Sequence, residues 1–600
     1  MVVLRTALGL LAATSSAFAA FQLTTSSSQY VVDTNAGLVF AVSRTGGNLV
    51  SIKYNNIEVQ DSSKPSAINS GFGTSTVTAQ QIGTDYIKVT VKSSSLPVTH
   101  HWIAKRNEAN IYMATANTAE VDPGEFRMLF RLKPSALPNG YTANGVQVSQ
   151  IAGGTAIEGS DVYNVGGTTR SKFYSSERFI DDQVHGVSGS GVGAYMVLPG
   201  TAYETSSGGP FMRDINNQQG SQQEVYVYWN SGHLRTEPWR FGLHGPYALV
   251  FTTGSKPSAN LDTSFFEQLS IDGYVPKSGR GQVTGTTSGV PSNFETVVHW
   301  YNTAAQYWTK SSGGKYTSPY MKPGTYTVKM YKNEYPVYTG SVTVTKGSTT
   351  THNIASTEPT RSVIWKIGEF DGQPFELKNG DKFLRMHPSD SRMSSWGGTY
   401  TVGTSSARDF PMAIFKSIGN AAVINFNLNT VPSNAILRIG TTLSFGGGRP
   451  SVTINSYSPA APGAPTNLDS RGVTRGGYRG LGEEYTFSIP AGTLKVGANT
   501  ITIGVASGSS GTTFLSPNFI VDAVQLEGSG GTTGGGVTTT TIRPPATTTT
   551  SRAATTTVRT STTVRTTTGG SSGSGAPLYG QCGGQGWTGA TSKYWPAVFS

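Results

Sequence analysis

Between residues 124 and 247 the chain gathers side chains suited to holding an acid and moving a proton. The run Gly124-Glu125-Phe126-Arg127-Met128-Leu129-Phe130-Arg131 carries two guanidinium groups at even spacing. On a strand, even spacing puts Arg127 and Arg131 on one side. A guanidinium is a two-pronged partner for a carboxylate. The run Ser171-Lys172-Phe173-Tyr174-Ser175-Ser176-Glu177-Arg178-Phe179 is dense in hydrogen-bond donors, and Glu224 to His233 sets Tyr226 and Tyr228 on one strand face with His233 just past its end. Lys and His are both able to take or give a proton in catalysis. Leu243-His244-Gly245-Pro246-Tyr247 adds a second histidine. Taken singly, each of these residues has an ordinary structural explanation. An Arg or Lys on a strand is usually solvated, a His beside glycine is commonly a structural hydrogen-bonder, and paired Tyr usually belong to a sheet's surface or core. Periodicity alone does not separate the two readings.

The elements that must carry these groups are short strands. Glycine is 74 of 600 residues and charged residues are 13%, a profile that fits a turn-rich β protein and argues against bundles, coiled coils and charged disordered chains. Tyr30-Val31-Val32, Leu38–Val42 and Tyr86–Val91 are rich in β-branched and aromatic residues, with turn chemistry at Thr45-Gly46-Gly47-Asn48 and Tyr54-Asn55-Asn56. The pattern predicts a β-sandwich over 20–272 with no long helix. Residues 273–357 read as a small separate sandwich containing the alternating runs Thr325–Tyr331 and Gly340–Thr345. Residues 358–527 read as a third β unit, with strand-length runs at Ala421–Phe426, Ala435–Gly440, Asn499–Ile503 and Phe519–Val524. The expected fold class is thus all-β and multidomain.

Both ends have a different character. Residues 1–19 read as a secretory signal, with Arg5, an apolar stretch over Ala7–Ala13, and Ala17-Phe18-Ala19 as the cleavage site. The expected location is extracellular, and no other segment reads as a membrane span. Residues 528–575 are Gly, Thr and Ser runs that cannot bury a core, an expected O-glycosylated linker. No Asn-x-Ser/Thr sequon occurs in the chain. The net charge is +11, and Arg5 with Arg543, Arg552, Arg559, Arg565 and Lys593 supplies more than half of it. The mild excess left to the folded part suits an acidic polymer without identifying one. No dense basic patch or nucleic-acid motif is present, so nucleic acid is not an expected partner. The single cysteine, Cys582, excludes an internal disulfide and cysteine-based metal sites. Matches to generic motifs at Gly584–Gly589 and Gly569–Gly573 fall in the tail and linker, without the elements such motifs require. Phe445-Gly446-Gly447-Gly448 reads as a β-turn rather than a ligand loop.

Longer runs carry a resemblance. Gly154–Val162, Thr169–Asp182, Asn230-Ser231-Gly232-His233, Gly242–Tyr247, Met386–Met393 and Asn467–Arg475 are similar to runs in fungal rhamnogalacturonan lyases of polysaccharide lyase family four, and the likeness extends over residues 20–527. It implies a large β super-sandwich, a fibronectin-type-III-like sandwich and a carbohydrate-binding-like jelly roll, in that order. It implies Lys172 and His233 as the catalytic pair. Substrate contacts would come from Arg127, Arg131, Tyr226 and Tyr228 of the first domain, and from Arg471 with Arg475 of the third, with the tyrosines orienting or stacking against sugar rings. The implied reaction is β-elimination on the rhamnogalacturonan I backbone by a monomer. Which of Lys172 and His233 is base and which acid is left open. No metal or cofactor is required, although a structural calcium is compatible with a β-sandwich.

Two departures stand out. The family's first domain carries two disulfides that this chain lacks, one of them near a segment read as the loop Gln183-Val184-His185-Gly186. Loss of a staple typically costs a few kcal/mol in small domains, so local loosening of loops is expected. Leu578–Gly589 resembles the start of a fungal family-one cellulose-binding module, but only Cys582 and the platform aromatic Tyr579 are in place. The tail 576–600 is therefore expected not to bind cellulose. Two rival functions remain. A glycoside hydrolase would use two carboxylates, and Glu158, Asp161, Glu177, Asp181 and Asp182 are available. A non-catalytic carbohydrate-binding protein would bind the polymer without cleaving it.

Overall fold

The computed structural model describes residues 21–528 apart from 123, 143–146, 149–150, 160 and 466–470. The expected leader, and the linker and cellulose-binding-like tail from residue 529 onward, lie outside the described residues. What is described is all-β: strands joined by loops and short 3-10 turns. No described helix is long and apolar enough to cross a membrane.

The first body begins with a five-stranded meander from Gln22–Thr25 to Ile57–Glu58. Its last hairpin turns on Asn55 and Asn56, with Tyr54 paired to Ile57. Both asparagines have positive φ, 47° and 66°, as a two-residue primed turn demands. Next to it lie a nine-stranded sheet and a four-stranded sheet. The latter orders Asn217–Gln219, Gln223–Asn230, Phe126–Leu132 and Ala67–Ile68. Trp102, Phe126, Phe130, Trp229 and Tyr247, all fully buried, fill the space between layers. Burying each such ring contributes roughly 1.5–3 kcal/mol or more.

A second sandwich of two four-stranded sheets packs around Trp300, Tyr326 and Met330. Its strand Gly324–Lys332 shows the alternation that makes a half-buried strand: Tyr326, Val328 and Met330 face inward while Thr325, Thr327 and Lys329 face out. A third sandwich has a five-stranded and a four-stranded sheet. In its strand Asn518–Gly528 every residue but the last is buried, so the sequence there does not alternate cleanly. Phe445 to Gly448 forms the turn expected of it, closed by a bond from Gly448 N to Phe445 O of 3.0 Å. It carries the chain from one sheet of the third sandwich to the other.

One expectation is corrected here. Gln183 to Gly186 is not a loosened loop. Val184–Gly189 is a strand of the nine-stranded sheet, buried except at Gly189. His185 pins it, with Nδ1 2.7 Å from Asp182 Oδ1 and Nε2 2.6 Å from the Tyr226 carbonyl oxygen. These contacts tie the strand to Asp182 and to the floor strand that carries Tyr226.

Buried charge joins the three bodies. Glu204 of the first receives Arg280 at 2.6 Å and Lys322 at 3.0 Å from the second. Glu334 of the second takes Arg178 of the first at 3.3 Å and Arg479 of the third at 3.4 Å.

Candidate active site

The strand pair Phe126–Leu132 and Gln223–Asn230 forms the floor of the site. Its antiparallel register sets Arg127 opposite Tyr228, Leu129 opposite Tyr226 and Arg131 opposite Glu224. Even spacing therefore delivers all of these to one face. Arg127 Nη1 donates at 2.5 Å both to Glu125 Oε2 and to the Tyr228 hydroxyl. Arg131 is occupied differently: it donates to the Pro65 carbonyl at 2.9 Å and the Asn69 carbonyl at 3.4 Å, and lies 3.5 Å from Glu224. Its donors tie the floor to the neighbouring segment, while Arg127 lies beside His233's carboxylate partner.

A three-stranded sheet, Thr155–Glu158, Val162–Val165 and Thr168–Ser171, stands beside this floor. Gly166 and Gly167, with φ of 58° and 82°, make its tight turn, and Val165 pairs with Thr168. The last strand runs straight into the 3-10 turn Lys172–Ser175, which Ser171 caps by accepting from Phe173 N at 3.2 Å. Lys172 is thus held at the start of a rigid turn. Its ammonium lies 3.0 Å from Asp161 Oδ1, and Asp161 sits in the turn between the first two strands of the same sheet.

His233 follows the floor strand and is fixed by its own backbone N–H donating to Ser231 Oγ at 2.9 Å. Its Nε2 lies 2.9 Å from Glu125 Oε1 and its Nδ1 3.1 Å from Asp214 Oδ2. Burial alone would lower an imidazole's pKa; Glu125 and Asp214 outweigh it and raise His233 to about 10. Against burial, which acts in the opposite direction, His233 and then Arg127 hold Glu125 far below the ordinary carboxylate range. Phe173 is the common neighbour. His233 meets its ring edge-on at 4.9 Å between centroids, Lys172 Nζ lies 5.6 Å from the ring centre and Arg475 Cζ 4.8 Å.

The third body closes the site. Arg471 spans two first-body acids, 2.9 Å from Glu158 and 2.5 Å from Asp161, and Arg475 lies 2.9 Å from Asp161. His387 reaches Glu158 at 3.1 Å, and Asp390 accepts from Thr169 N and Oγ1 at 3.0 and 2.7 Å. Asp161 consequently faces three cations. Against burial, Lys172 and then Arg471 lower its pKa.

The structure therefore gathers Arg127, Lys172, His233, Arg471 and Arg475 around one locus. It alters the part assigned to the tyrosines. Tyr226 and Tyr228 are 5% and 2% exposed and stack on each other at 5.8 Å, within a small core that includes Leu129, Phe173 and Ile215. Their rings are not an open stacking platform. The Tyr228 hydroxyl accepts from Arg127, and the Tyr226 hydroxyl donates to Glu224 at 2.7 Å, so both support the floor. His244 is a core residue, fully buried, bonded to Asn117 and lowered by burial to about 3. Asp214 was not marked by sequence reasoning at all, and Glu125 was only part of a run; no spacing rule links either to His233, since the three come from separate loops. The acids available to a hydrolase are all engaged: Glu158 and Asp161 as above, Glu177 with Arg385, Asp181 with Arg178 and Lys310, Asp182 with His185.

The three-body, all-β chain thus brings a lysine, a histidine and converging guanidiniums to one site. Residues 21–273 match the family model described as rhamnogalacturonan lyase B, N-terminal; residues 279–352 and 363–526 match domains II and III of polysaccharide lyase family 4. The chain belongs to polysaccharide lyase family 4. It is 58% identical over 516 residues to rhamnogalacturonate lyase A of Aspergillus aculeatus, covering 85% of this chain and 97% of that one. It is 57% identical to probable rhamnogalacturonate lyase A of Aspergillus clavatus, covering 85% and 96%, and 55% identical to rhamnogalacturonate lyase A of Emericella nidulans, again covering 85% and 96%. Among solved structures, a Paenibacillus xanthan lyase aligns with 84% of this chain and about half (51%) of its own, at 9% identity and a TM-score of 0.23, too remote to bear on the fold.

Proposed function

We propose that the protein is a secreted, monomeric rhamnogalacturonan endolyase that cleaves the rhamnose–galacturonate bond of the rhamnogalacturonan I backbone by β-elimination. The proton at C5 of galacturonate is hard to remove because negative charge builds beside a carboxylate. Arg127 takes that carboxylate and stabilises the charge as it develops. Lys172, once it has given up its own proton, removes the C5 proton. The electron pair of that C–H bond becomes the C4=C5 double bond as the bond from C4 to the glycosidic oxygen breaks. His233 gives its proton to the departing oxygen, which becomes a hydroxyl of the released rhamnose end. Asp161 faces Lys172 but shares its charge with Arg471 and Arg475, so a substrate carboxylate approaches a site that remains cationic. The scheme needs no metal or cofactor, since side-chain cations supply the positive charge.

The observation that carries this reading is His233, with a carboxylate on each ring nitrogen, set across one aromatic ring from Lys172. A histidine so held suits a proton donor, which supports the acid role for it and the base role for Lys172. Digestion of rhamnogalacturonan I followed by mass analysis of the oligosaccharides tests the reading. Elimination yields fragments lacking the elements of one water relative to hydrolysis products; fragments with the water added would reject it.

A further inference from the structure

The Nε2 and Nδ1 atoms of His233 each face a carboxylate, Glu125 at 2.9 Å and Asp214 at 3.1 Å. A carboxylate can only accept, and a neutral imidazole has one N–H to give. Each acid already accepts elsewhere: Glu125 Oε2 from Arg127 at 2.5 Å, and Asp214 Oδ1 from Ile215 N at 2.7 Å. Neither therefore has to carry a proton to be satisfied. The ring is also gripped: Phe173 meets it edge-on and Tyr228 lies tilted at 6.1 Å. The two acids differ in position. The Asp214 side chain is 1% exposed and anchors the buried nitrogen, whereas the Glu125 side chain is 12% exposed and lies beside Arg127.

We infer that Glu125 and Asp214 are positioning residues that together keep His233 as an imidazolium, with Asp214 fixing Nδ1 and Nε2 left as the nitrogen that delivers the proton. The inference rests on the proposed lyase reaction and deepens it. Glu125, moreover, occupies with its two oxygens the two donors the substrate needs, Arg127 for the carboxylate and His233 for the leaving oxygen. Substrate entry thus exchanges one carboxylate for another at Arg127 while Asp214 retains its hold. The other charged or titratable groups around the ring are Tyr228 from the floor strand, Lys172 from the 3-10 turn, Asp161 from the neighbouring sheet, and Arg213 and Arg475 along the adjoining cavity. The cations oppose protonation of His233, and Asp161 favours it from further away. The two carboxylates in direct contact decide the outcome.

The test is the alkaline limb of kcat/KM, measured from unsaturated product, in wild type, Glu125→Gln and Asp214→Asn, with folding checked by circular dichroism. Removing one carboxylate should move that limb down by about 1–3 pH units, and the double variant should move it further. A loss that is uniform across pH, with the limb in place, would overturn the inference and leave a merely structural role. The 15N signals of His233 in histidine-labelled wild type, assigned with His233→Ala, read the same point without any variant that might misfold. Two protonated nitrogens at pH 8 support the inference, and a neutral imidazole pattern at pH 7 overturns it. If no unsaturated product forms at all, the lyase reading fails, while the nitrogen signals still decide the state of His233.

Discussion

Asp161→Asn removes one charge and leaves three cations without their shared partner. In the folded protein Asp161 lies 3.0 Å from Lys172, 2.5 Å from Arg471 and 2.9 Å from Arg475. Through it, Arg471 and Arg475 of the third body share one carboxylate with Lys172. Breaking a buried pair costs about 3–5 kcal/mol, but the partner side chains are 22%, 27% and 16% exposed. Water therefore relieves part of the penalty, and a loss of about 1–3 kcal/mol is the expected range after that screening. The effect on rate should fall at the upper end of the same range. A shift of about 1 Å in a reacting group costs on the order of 10²-fold, equivalent to about 2.7 kcal/mol of barrier. The expected outcome is a fall of that order in kcat on rhamnogalacturonan I. It should be accompanied by faster proteolytic release of the third body. The sign of the pH dependence follows from the same contacts. Asp161 titrates below its unfolded value, so its stabilisation is fully present above roughly pH 4. It is lost as pH falls through the lowered folded value, and the Asn variant should lack that acid-sensitive step. A variant with wild-type kcat and unchanged resistance to proteolysis would refute the idea that Asp161 latches the third body onto Lys172.

His185→Ala should destabilise the first body by about 3–5 kcal/mol, because it leaves Asp182, 2% exposed, without the 2.7 Å contact that holds it. Urea unfolding followed by tryptophan fluorescence measures this, with Trp102 and Trp229 reporting from the core. A chain ending at Gly528 should keep full lyase activity on soluble rhamnogalacturonan I, since the family matches stop at residue 526 and the site draws on no residue beyond Arg475; comparison of kcat/KM with the full chain checks this.

Much of the fold is legible because strand chemistry is local. Tyr86–Val91 lies inside the strand Tyr86–Ser93, and Leu38–Val42 inside Leu38–Ser43. Asn55-Asn56 and Phe445 to Gly448 turn as their residue types require. Even spacing also placed Arg127 and Arg131 on one face correctly. What it could not say is where a guanidinium's donors go, and Arg131 lends two of its donors to backbone carbonyls 60 residues and more away in sequence. The burial of the tyrosine pair was hidden for a related reason. Alternation gives the side of the sheet, but here that side is covered by Phe173 and Ile215. Asp214 was invisible because its partner is brought to it by the loop after a different strand. Gln183 to Gly186 resembles a loop only through the family's disulfide; in the strand it forms, the glycine is required by close packing, since a Cβ at Gly186 would collide with the backbone of Ala194 and Tyr195.

The central claim is elimination by Lys172 and His233, and near-ultraviolet absorbance reads it most directly. Purified wild type, Lys172→Ala and His233→Ala would each be incubated with de-arabinosylated rhamnogalacturonan I while absorbance of the C4=C5 uronide and new reducing ends are followed together. The account predicts that absorbance and reducing ends rise in step for wild type and that both variants lose at least the 10²-fold or so expected when a proton-transfer group is removed. Reducing ends appearing without absorbance, or a Lys172→Ala enzyme that still eliminates at the wild-type rate, would contradict it.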